Sequence, residues 1–334
     1  MIDVSTYTDF FVDSCLERYV LQGGATVKFC VGDDKDLEAL EQSIIASAQQ
    51  LKMMVVPIDS SRIKVQMIDQ LFFAVAGVVD WSRLARAMVN RVCAAAGYPV
   101  PGDNEHASLA ELAEYYHCEP RELQRDINRE FQNVIYRDYS MVHEFRIAML
   151  RLCQYEFRTG QVTDAEAEAI NQWLVGELRQ ISLLRTARIF RKINRSNARQ
   201  MLFSLVRWIT QIGNSGLLLV LDLRQFFKSR EFEVGDLPIM YTRAAIIDAY
   251  ELLRQLIDNT DEFKNLATAV CVPAEFVTDR TRGVDAYQAL KLRIYDEVRD
   301  QTRDNPYASL IRLGPGNDGS ALGADKGEMG TYAG

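Results

Sequence analysis

A glycine followed by charged residues stands where a short apolar strand gives way to a helix. The strand is Thr26 to Val31 (TVKFCV), and the next eight residues are Gly32 to Ala39 (GDDKDLEA). In nucleotide-binding proteins a strand, a loop of the form G-x-x-x-x-G-K-[ST] and a helix hold phosphate together. The glycine backbones curl around the oxygens, the lysine neutralises them and the hydroxyl binds Mg²⁺. The context therefore indicates a phosphate-binding position.

The residues that should grip phosphate are replaced at this position. Aligned without gaps, the second glycine corresponds to Leu37, the lysine to Glu38 and the serine or threonine to Ala39. An apolar side chain, an acid and a methyl group cannot supply the positive charge or the magnesium ligand. The motif is therefore degenerate, and no catalytic residue is expected in it.

The loop also carries negative charge where the ligand would be negative. Its carboxylates are Asp33, Asp34 and Asp36. At partial solvent screening each would repel a triphosphate by about 1 kcal/mol. Lys35 is the one cation in the loop that could substitute for the lost lysine. We interpret Gly32, Lys35 and Glu38 as a degenerate nucleotide-binding site, expect no cofactor, and consider ATP with Mg²⁺ disfavoured.

A second half-motif occurs later in the chain. Residues 216–222 (GLLLVLD) are an apolar run that ends in Asp222, as in strands whose aspartate orients Mg²⁺. ATPases of this kind place a water-activating carboxylate next, whereas this chain has Leu223. Asp222 is therefore a retained motif position without its catalytic neighbour.

Alternating strands and helices position these motifs. Residues 53–58 and 266–272 are further buried strands, and the order strand, turn, helix, strand predicts a parallel sheet. We predict an α/β fold, a P-loop NTPase-like parallel sheet with a large helical insertion. The predicted parts are a first βα part (1–62), a helical block (63–212), a second core part with two strands (213–313) and a disordered tail (314–334).

The chain resembles a known family over residues 15–313. It is similar to the ATP-binding P-loop proteins of BREX-type bacterial anti-phage systems, a branch related to AAA+ and origin-recognition ATPases. The segments that carry the resemblance are GGATVKFCVGD, VVPIDSSRIKVQMIDQLF, INRSNARQMLFSLVRWITQIGNSGLLLVLD and AYELLRQLIDNTDEFKNLATAVCVPAEFVTDRTRGVDAYQALKLRI. The resemblance implies the fold and a defence setting, with other defence proteins as partners, including an intact P-loop ATPase. Because the departures fall on the ATP chemistry, activity is not carried over.

A basic stretch forms a separate candidate site. From Leu178 to Leu221 the chain has no Asp or Glu. Steps of three and four predict that most cations of residues 185–199 share one helix face. This face could bind DNA backbone, dock on an acidic protein surface, or be solvated or internally paired. The candidate contacts are Arg185, Arg188, Arg191, Lys192, Arg195 and Arg199. We see no interleaved aromatic residues of the kind that bind single strands.

Composition limits the remaining functions. The net charge of -8 gives no general attraction to nucleic acid or anionic membranes. No apolar run reaches about 18 residues and the N-terminus lacks a signal-peptide pattern, so we expect a cytoplasmic protein without membrane contact. The six cysteines and three histidines lack metal-ligand spacing, which predicts reduced thiols and no metal site.

These observations favour a catalytically inactive pseudo-ATPase that serves as a scaffold or regulator through protein–protein interaction in a bacterial anti-phage defence complex. One alternative is a nucleotide-sensing or weakly active ATPase that uses Lys35. Another is a DNA-binding adaptor that uses the basic helix face.

Overall fold

A five-stranded parallel sheet forms the centre of the protein. The computed structural model describes residues 1–101, 108–228, 238–295 and 305–315. The strands lie in the order β2-β3-β4-β1-β5, and every pairing is parallel. Their bounds are Ala25–Val31 (β1), Met54–Asp59 (β2), Leu217–Asp222 (β3), Leu266–Val272 (β4) and Leu310–Arg312 (β5).

Helices cover the sheet and fill the interval between β2 and β3. The described α-helices are Val4–Phe10 (α1), Asp34–Gln50 (α2), Ile68–Gly77 (α3), Trp81–Ala95 (α4), Leu109–Tyr115 (α5), Pro120–Phe131 (α6), His143–Glu156 (α7), Asp164–Leu174 (α8), Ala198–Gln211 (α9), Arg243–Asp258 (α10), Glu275–Thr278 (α11) and Gln288–Ile294 (α12). Phe11–Val20 and Gln132–Tyr136 are π-helical, and Ile181–Leu184, Arg224–Phe227 and Val284–Ala286 are 3-10 turns.

The two faces of the sheet belong to two separate apolar cores. Leu219 and Val270 face a core shared with the helical block and α10. Leu218 and Ala269 face the opposite core, which is formed with α1, the π-helix after it and α2. Burial on both faces explains why β3 and β4 are unbroken apolar runs instead of alternating ones. The sheet is therefore the rigid middle layer that fixes where its strand ends lie.

The predicted fold class is confirmed. The sheet is parallel, α3 to α9 lie between β2 and β3, and Ser108 and Thr163 are the N-caps of α5 and α8. The sequence did not indicate β5, which pairs with β1 at the sheet edge. The division at residues 62, 212 and 313 stays a prediction. The sequence also predicts a final helix over residues 284–304, of which the structure describes the 3-10 turn Val284–Ala286 and α12. Residues 296–304, and residues 316–334 of the predicted tail (314–334), lie outside the described residues.

None of the helices within the described ranges is both long enough and apolar enough to cross a lipid bilayer.

Candidate functional site

The two motif positions predicted from the sequence meet at the carboxyl-terminal edge of the sheet. In a parallel sheet all strands end at this edge, where α/β proteins bind their ligands. Asp59 at the end of β2 lies in register with Asp222 at the end of β3. The start of α2 follows β1 at the same edge, so carboxylates from three chain segments surround one small space.

The connection between β1 and α2 is too short to encircle phosphate. Only Gly32 and Asp33 separate the strand from the helix. The Gly32 N–H donates to the carbonyl oxygen of Val272 on β4 at 3.3 Å, so it serves the sheet and does not face a ligand. A side-chain carbon at Gly32 would lie 3.3 Å from Cβ of Leu313, so close packing accounts for this glycine.

A carboxylate of the protein occupies the helix end that would otherwise attract an anion. Asp33 is the N-cap of α2, and its side chain accepts a hydrogen bond from the Asp36 N–H at 2.8 Å. The free N–H groups and the dipole of a helix N-terminus favour negative charge. Here Asp33 satisfies part of that demand, and exposed Asp34 adds further negative charge.

The other predicted loop positions lie on the first turns of α2. Leu37, aligned with the second motif glycine, is fully buried in the core below the helix. Lys35 and Glu38 are exposed. Lys35 is not among the residues that line the space at the sheet edge, whereas Glu38 is. The structure therefore brings Glu38 and Asp222 together and leaves Lys35 outside.

Arg224, which the sequence reasoning did not select, occupies this space. Its guanidinium forms a fork with the Asp222 carboxylate, with Nε 3.0 Å from Oδ1 and Nη2 2.8 Å from Oδ2. The backbone N–H of Arg224 also donates to Asp222 Oδ1, at 2.9 Å. A two-point contact of this kind fixes orientation as well as charge. The retained aspartate is thus engaged by a cation two residues further along the chain.

The same guanidinium reaches across to α2. Nη1 of Arg224 lies 3.3 Å from the Asp34 carboxylate and 3.4 Å from that of Glu38, and Nη2 lies 3.8 Å from Glu41. The hydrogen bonds with Asp222 are the main cause that raises the pKa of Arg224. One arginine therefore joins the end of β3 to the first two turns of α2.

Glu41 is the member of this group whose carboxyl group is least well compensated. Burial raises the pKa of its carboxyl, and the nearby Asp222 carboxylate adds to the effect, while Arg224 opposes it. Its Oε1 is buried without a hydrogen-bond partner, because the 3.8 Å approach of Arg224 is too long for one. The Cys271 thiol interacts with the same carboxyl group. Ionised Glu41 is thus incompletely compensated.

The residues present do not fit a nucleoside triphosphate. The space has a volume of about 190 Å³, below the roughly 300–1,000 Å³ of small-molecule sites. It is lined by four carboxylates and two cations, with neutral Ser61 and Gln225: the charged residues are Asp34, Glu38, Asp59, Asp222, Arg224 and Lys228. Within the described ranges, no group of three or more His, Cys, Asp or Glu side chains is arranged to hold a metal ion.

The position of the water-activating acid is closed as well. Leu223 is fully buried, and its N–H donates to the Cys271 carbonyl oxygen at 2.9 Å. The chain then turns through the short 3-10 turn Arg224–Phe227. A carboxylate in place of Leu223 would lie in the apolar core. The backbone at this position therefore does not direct the side chain towards the space at the sheet edge.

The basic segment, residues 185–199, is not one helix, and the predicted helix face was wrong. The 3-10 turn before it ends at Leu184, and α9 begins only at Ala198. Arg188 has a φ of 59°, which a continuous right-handed helix does not allow. Here backbone carbonyl oxygens accept hydrogen bonds from side chains and not from a helical backbone. Trp173 Nε1 donates to the carbonyl oxygen of Arg191, and Lys192 Nζ donates to that of Arg179, both at 2.9 Å.

The cations of the basic segment nevertheless face outwards. All six predicted contacts are exposed except Arg199, which is half-buried. None of them forms an ion pair with a residue in the described ranges. Phe190 lies among them with 65% of its surface exposed. An aromatic side chain is thus interleaved with the cations, contrary to the sequence-based expectation.

Sequence reasoning missed three members of the sheet-edge group: Arg224, Glu41 and Asp59. A cation two residues after a strand-ending aspartate was a usable local signal for Arg224. Glu41 gave none, because it reads as one more polar residue of an amphipathic helix. Asp59 was visible as the end of a strand, but its strand could be placed beside β3 only in three dimensions.

Comparison with known proteins places the chain in a family. No curated protein and no solved structure matches it. The family model described as BREX system ATP-binding protein BrxC/D matches residues 107–321, almost two thirds of the chain. The match includes β3, β4 and the basic segment, and it covers the third and fourth of the quoted segments, whereas the first two lie before it. The chain therefore belongs to the BREX system ATP-binding protein BrxC/D family, and its setting is a defence system.

Proposed function

We propose that this chain is a catalytically inactive, P-loop-like subunit that acts as a scaffold or regulator in a BREX defence complex. The observation that carries the proposal is Arg224. Its guanidinium occupies the space between Asp222 and the start of α2, where a working relative would place phosphate and Mg²⁺.

Charge supports this proposal. The carboxylates at the sheet edge need a cation, and Arg224 supplies it from within the chain. A bound Mg-nucleotide would have to displace the arginine from Asp222 and would leave the acids of α2 facing its phosphates. Desolvated charges that lose their partner are costly. The ion pairs of Arg224 therefore stabilise the site without a bound nucleotide.

Retention of the sheet supports a scaffolding role. Both faces of β3 and β4 remain buried, and the core runs from the helical block to α10. The replacements are confined to positions that would touch phosphate or activate water. A chain that retains the fold but lacks the residues for ATP hydrolysis is suited to positioning partners in its defence complex, including an intact P-loop ATPase.

The first test is hydrolysis and binding by the purified full chain. We expect no ATPase activity above that of Asp222→Asn, and no heat when Mg-ATP is titrated into the wild type. The Asn variant is nearly isosteric, so a folded comparison is available by circular dichroism. Hydrolysis by the wild type that disappears in Asp222→Asn would overturn the proposal.

The second test is defence in cells. Deletion of the gene should remove protection against phage, whereas Asp222→Asn and Lys35→Ala should retain it, because neither residue is assigned a nucleotide. Immunoblotting establishes equal protein levels. Loss of protection with a stable Asp222→Asn protein would show that this site performs chemistry or senses a ligand.

Nucleotide sensing is the second candidate, favoured by the ATP-binding description of the family and by the exposure of Lys35. If the arginine blocks a latent site, Arg224→Ala should bind Mg-ATP in calorimetry where the wild type does not, and Lys35→Ala should abolish the gain. Direct binding by the wild type that Lys35→Ala removes would replace our proposal with this one.

A further inference from the structure

We propose that the basic segment (185–199) binds single-stranded nucleic acid, with Phe190 stacking on a base and the neighbouring arginines holding phosphates. The inference uses residues apart from the sheet-edge site, so it does not depend on whether nucleotide binds there.

The first argument is unbalanced charge. The chain as a whole carries -8, yet residues 178–221 contain no acid. Arg207 in that interval is paired with Asp138 at 3.0 Å, but the six cations of residues 185–199 have no ion-pair partner in the described parts of the chain. Glu166, which accepts a hydrogen bond from Thr186 of the segment at 3.4 Å, is paired with Arg151 at 2.6 Å. Positive charge is therefore left for an external polyanion.

The second argument is the exposed aromatic side chain. Ile189 is fully buried, while its neighbour Phe190 is 65% exposed between Arg188 and Arg191. A phenylalanine of this exposure, with cations two residues before it and one residue after it in the sequence, is not part of the core. Aromatic rings stack on nucleic-acid bases while cations hold the backbone, and this pairing is typical of single-strand binding.

The third argument is that the segment is held in place. Leu184, just before the segment, and Ala187 and Ile193 within it are buried. Trp173 Nε1 donates a hydrogen bond to the Arg191 carbonyl oxygen at 2.9 Å. Asn197 Nδ2 donates one to the Lys192 carbonyl oxygen at 3.2 Å. Ordering a loop on binding would cost entropy. Because the backbone is already fixed, the ring and the guanidinium groups are presented with less of that cost.

The mixture of side chains favours nucleic acid over an acidic protein. Five of the six cations are arginines, whose planar guanidinium matches phosphate oxygens in pairs. Arginine and aromatic residues are enriched at protein interfaces too, but six cations within fifteen residues also match the repeating phosphates of a nucleic-acid strand. A strand of alternating bases and phosphates is complementary to both features together.

The experiment measures fluorescence anisotropy of a labelled 30-nucleotide oligo(dT) with the full chain, over a series of salt concentrations and without nucleotide. Phe190→Ala should weaken binding about fivefold to a hundredfold, because stacking contributes roughly 1–3 kcal/mol per base. A triple variant, Arg188→Ala with Arg191→Ala and Arg195→Ala, should lower the slope of log K against log salt by about 2, since each single-strand phosphate contact contributes about 0.7.

The matched control removes three exposed arginines elsewhere. Arg121, Arg125 and Arg129 lie four residues apart on α6, and changing them to Ala alters the net charge equally. This variant should bind almost as the wild type does. Equal losses in both triple variants would reduce the effect to net charge and overturn the proposal, as would absence of wild-type binding at 50 mM salt.

Two further probes separate the kinds of ligand. A 30-base-pair duplex should bind more weakly than oligo(dT) and should be insensitive to Phe190→Ala, because its bases are already stacked. Poly-glutamate of equal charge should not compete effectively. Poly-glutamate that displaces oligo(dT) at equal charge concentration, or unchanged oligo(dT) binding by Phe190→Ala, would contradict the single-strand site.

Discussion

Two charged regions of this protein differ in where their counter-charges lie. At the sheet edge Arg224 is held by Asp222, Asp34 and Glu38, which come from two distant parts of the chain. In the basic segment the cations have no such partners within the described residues. Charge satisfied internally contributes to the fold, and charge left unsatisfied is available to a ligand. Within the described residues, the ion pairs thus lie at the sheet edge and not in the basic segment, and a binding role for that segment is our proposal.

The largest expected effect is that of Arg224→Ala. This substitution leaves several carboxylates without their shared cation. Breaking a buried ion pair costs roughly 3–5 kcal/mol. Because this site is partly hydrated, we expect the free energy of unfolding to fall by about 2 kcal/mol or more. Urea denaturation measures it. Arg224→Lys keeps the charge but loses the two-point contact with Asp222, so its free energy of unfolding should lie between those of the wild type and Arg224→Ala. Equal stability of wild type and Arg224→Ala would remove the structural role of the ion pairs.

A smaller loss is expected for Asp33→Ala. The side chain caps α2 through the Asp36 N–H, and removing such a cap costs about 1 kcal/mol. Asp33→Asn retains an acceptor and should stay close to the wild type. Thermal and urea unfolding of the pair compare them directly. If Asn is as damaging as Ala, the negative charge and not the cap is what the helix start requires.

Glu41→Gln should be neutral or slightly stabilising at pH 7, by less than about 1 kcal/mol. Burial raises the pKa of Glu41 above its ordinary 4.5, so the folded state binds this proton more tightly than the unfolded state. The wild type is therefore penalised at neutral pH and recovers as the pH falls towards 4.5, where the difference from Gln should close. Unfolding curves between pH 7 and 4.5 test this, and a Gln variant that is clearly less stable at pH 7 would contradict it.

The smallest effect on stability is expected for the Arg188, Arg191 and Arg195 triple alanine variant. Exposed, unpaired side chains usually contribute within about 0.5 kcal/mol. Arg207→Ala, from the same acid-free stretch but paired with Asp138, should cost more, up to about 1 kcal/mol. Urea midpoints rank the two variants. A triple variant that unfolds more readily than Arg207→Ala would give the basic segment a structural role and weaken the contrast between the regions.

Most of the sheet could be predicted from local pattern. Residues 217–221 are an unbroken apolar run, and Leu266–Val272 is apolar except for Thr268, as is typical of short strands buried on both faces. Helix starts suggested by the sequence at Ser108 and Thr163 are the caps of α5 and α8, whereas Asn197, and not the suggested Ser196, precedes α9. In the basic segment the same reasoning failed, because a three-to-four spacing of arginines resembles a helix face. The burial of Ile189 and Ile193 and the capture of the Arg191 carbonyl group by Trp173 imposed another backbone.

Residue identities at Glu38 and Leu223, aligned to the motifs without gaps, are enough to predict the loss of the phosphate-binding lysine and of the water-activating acid. The order strand, turn, helix, strand along the chain also predicts the parallel sheet, which the structure confirms. Only the tertiary structure decided that Arg224 fills the site, because its contact with Asp34 joins residues 190 positions apart. The same holds for β5, three residues long, which becomes a strand only where β1 offers it a free edge. Local patterns encode propensity and burial, whereas ion pairs and edge pairing depend on which segments the fold brings together.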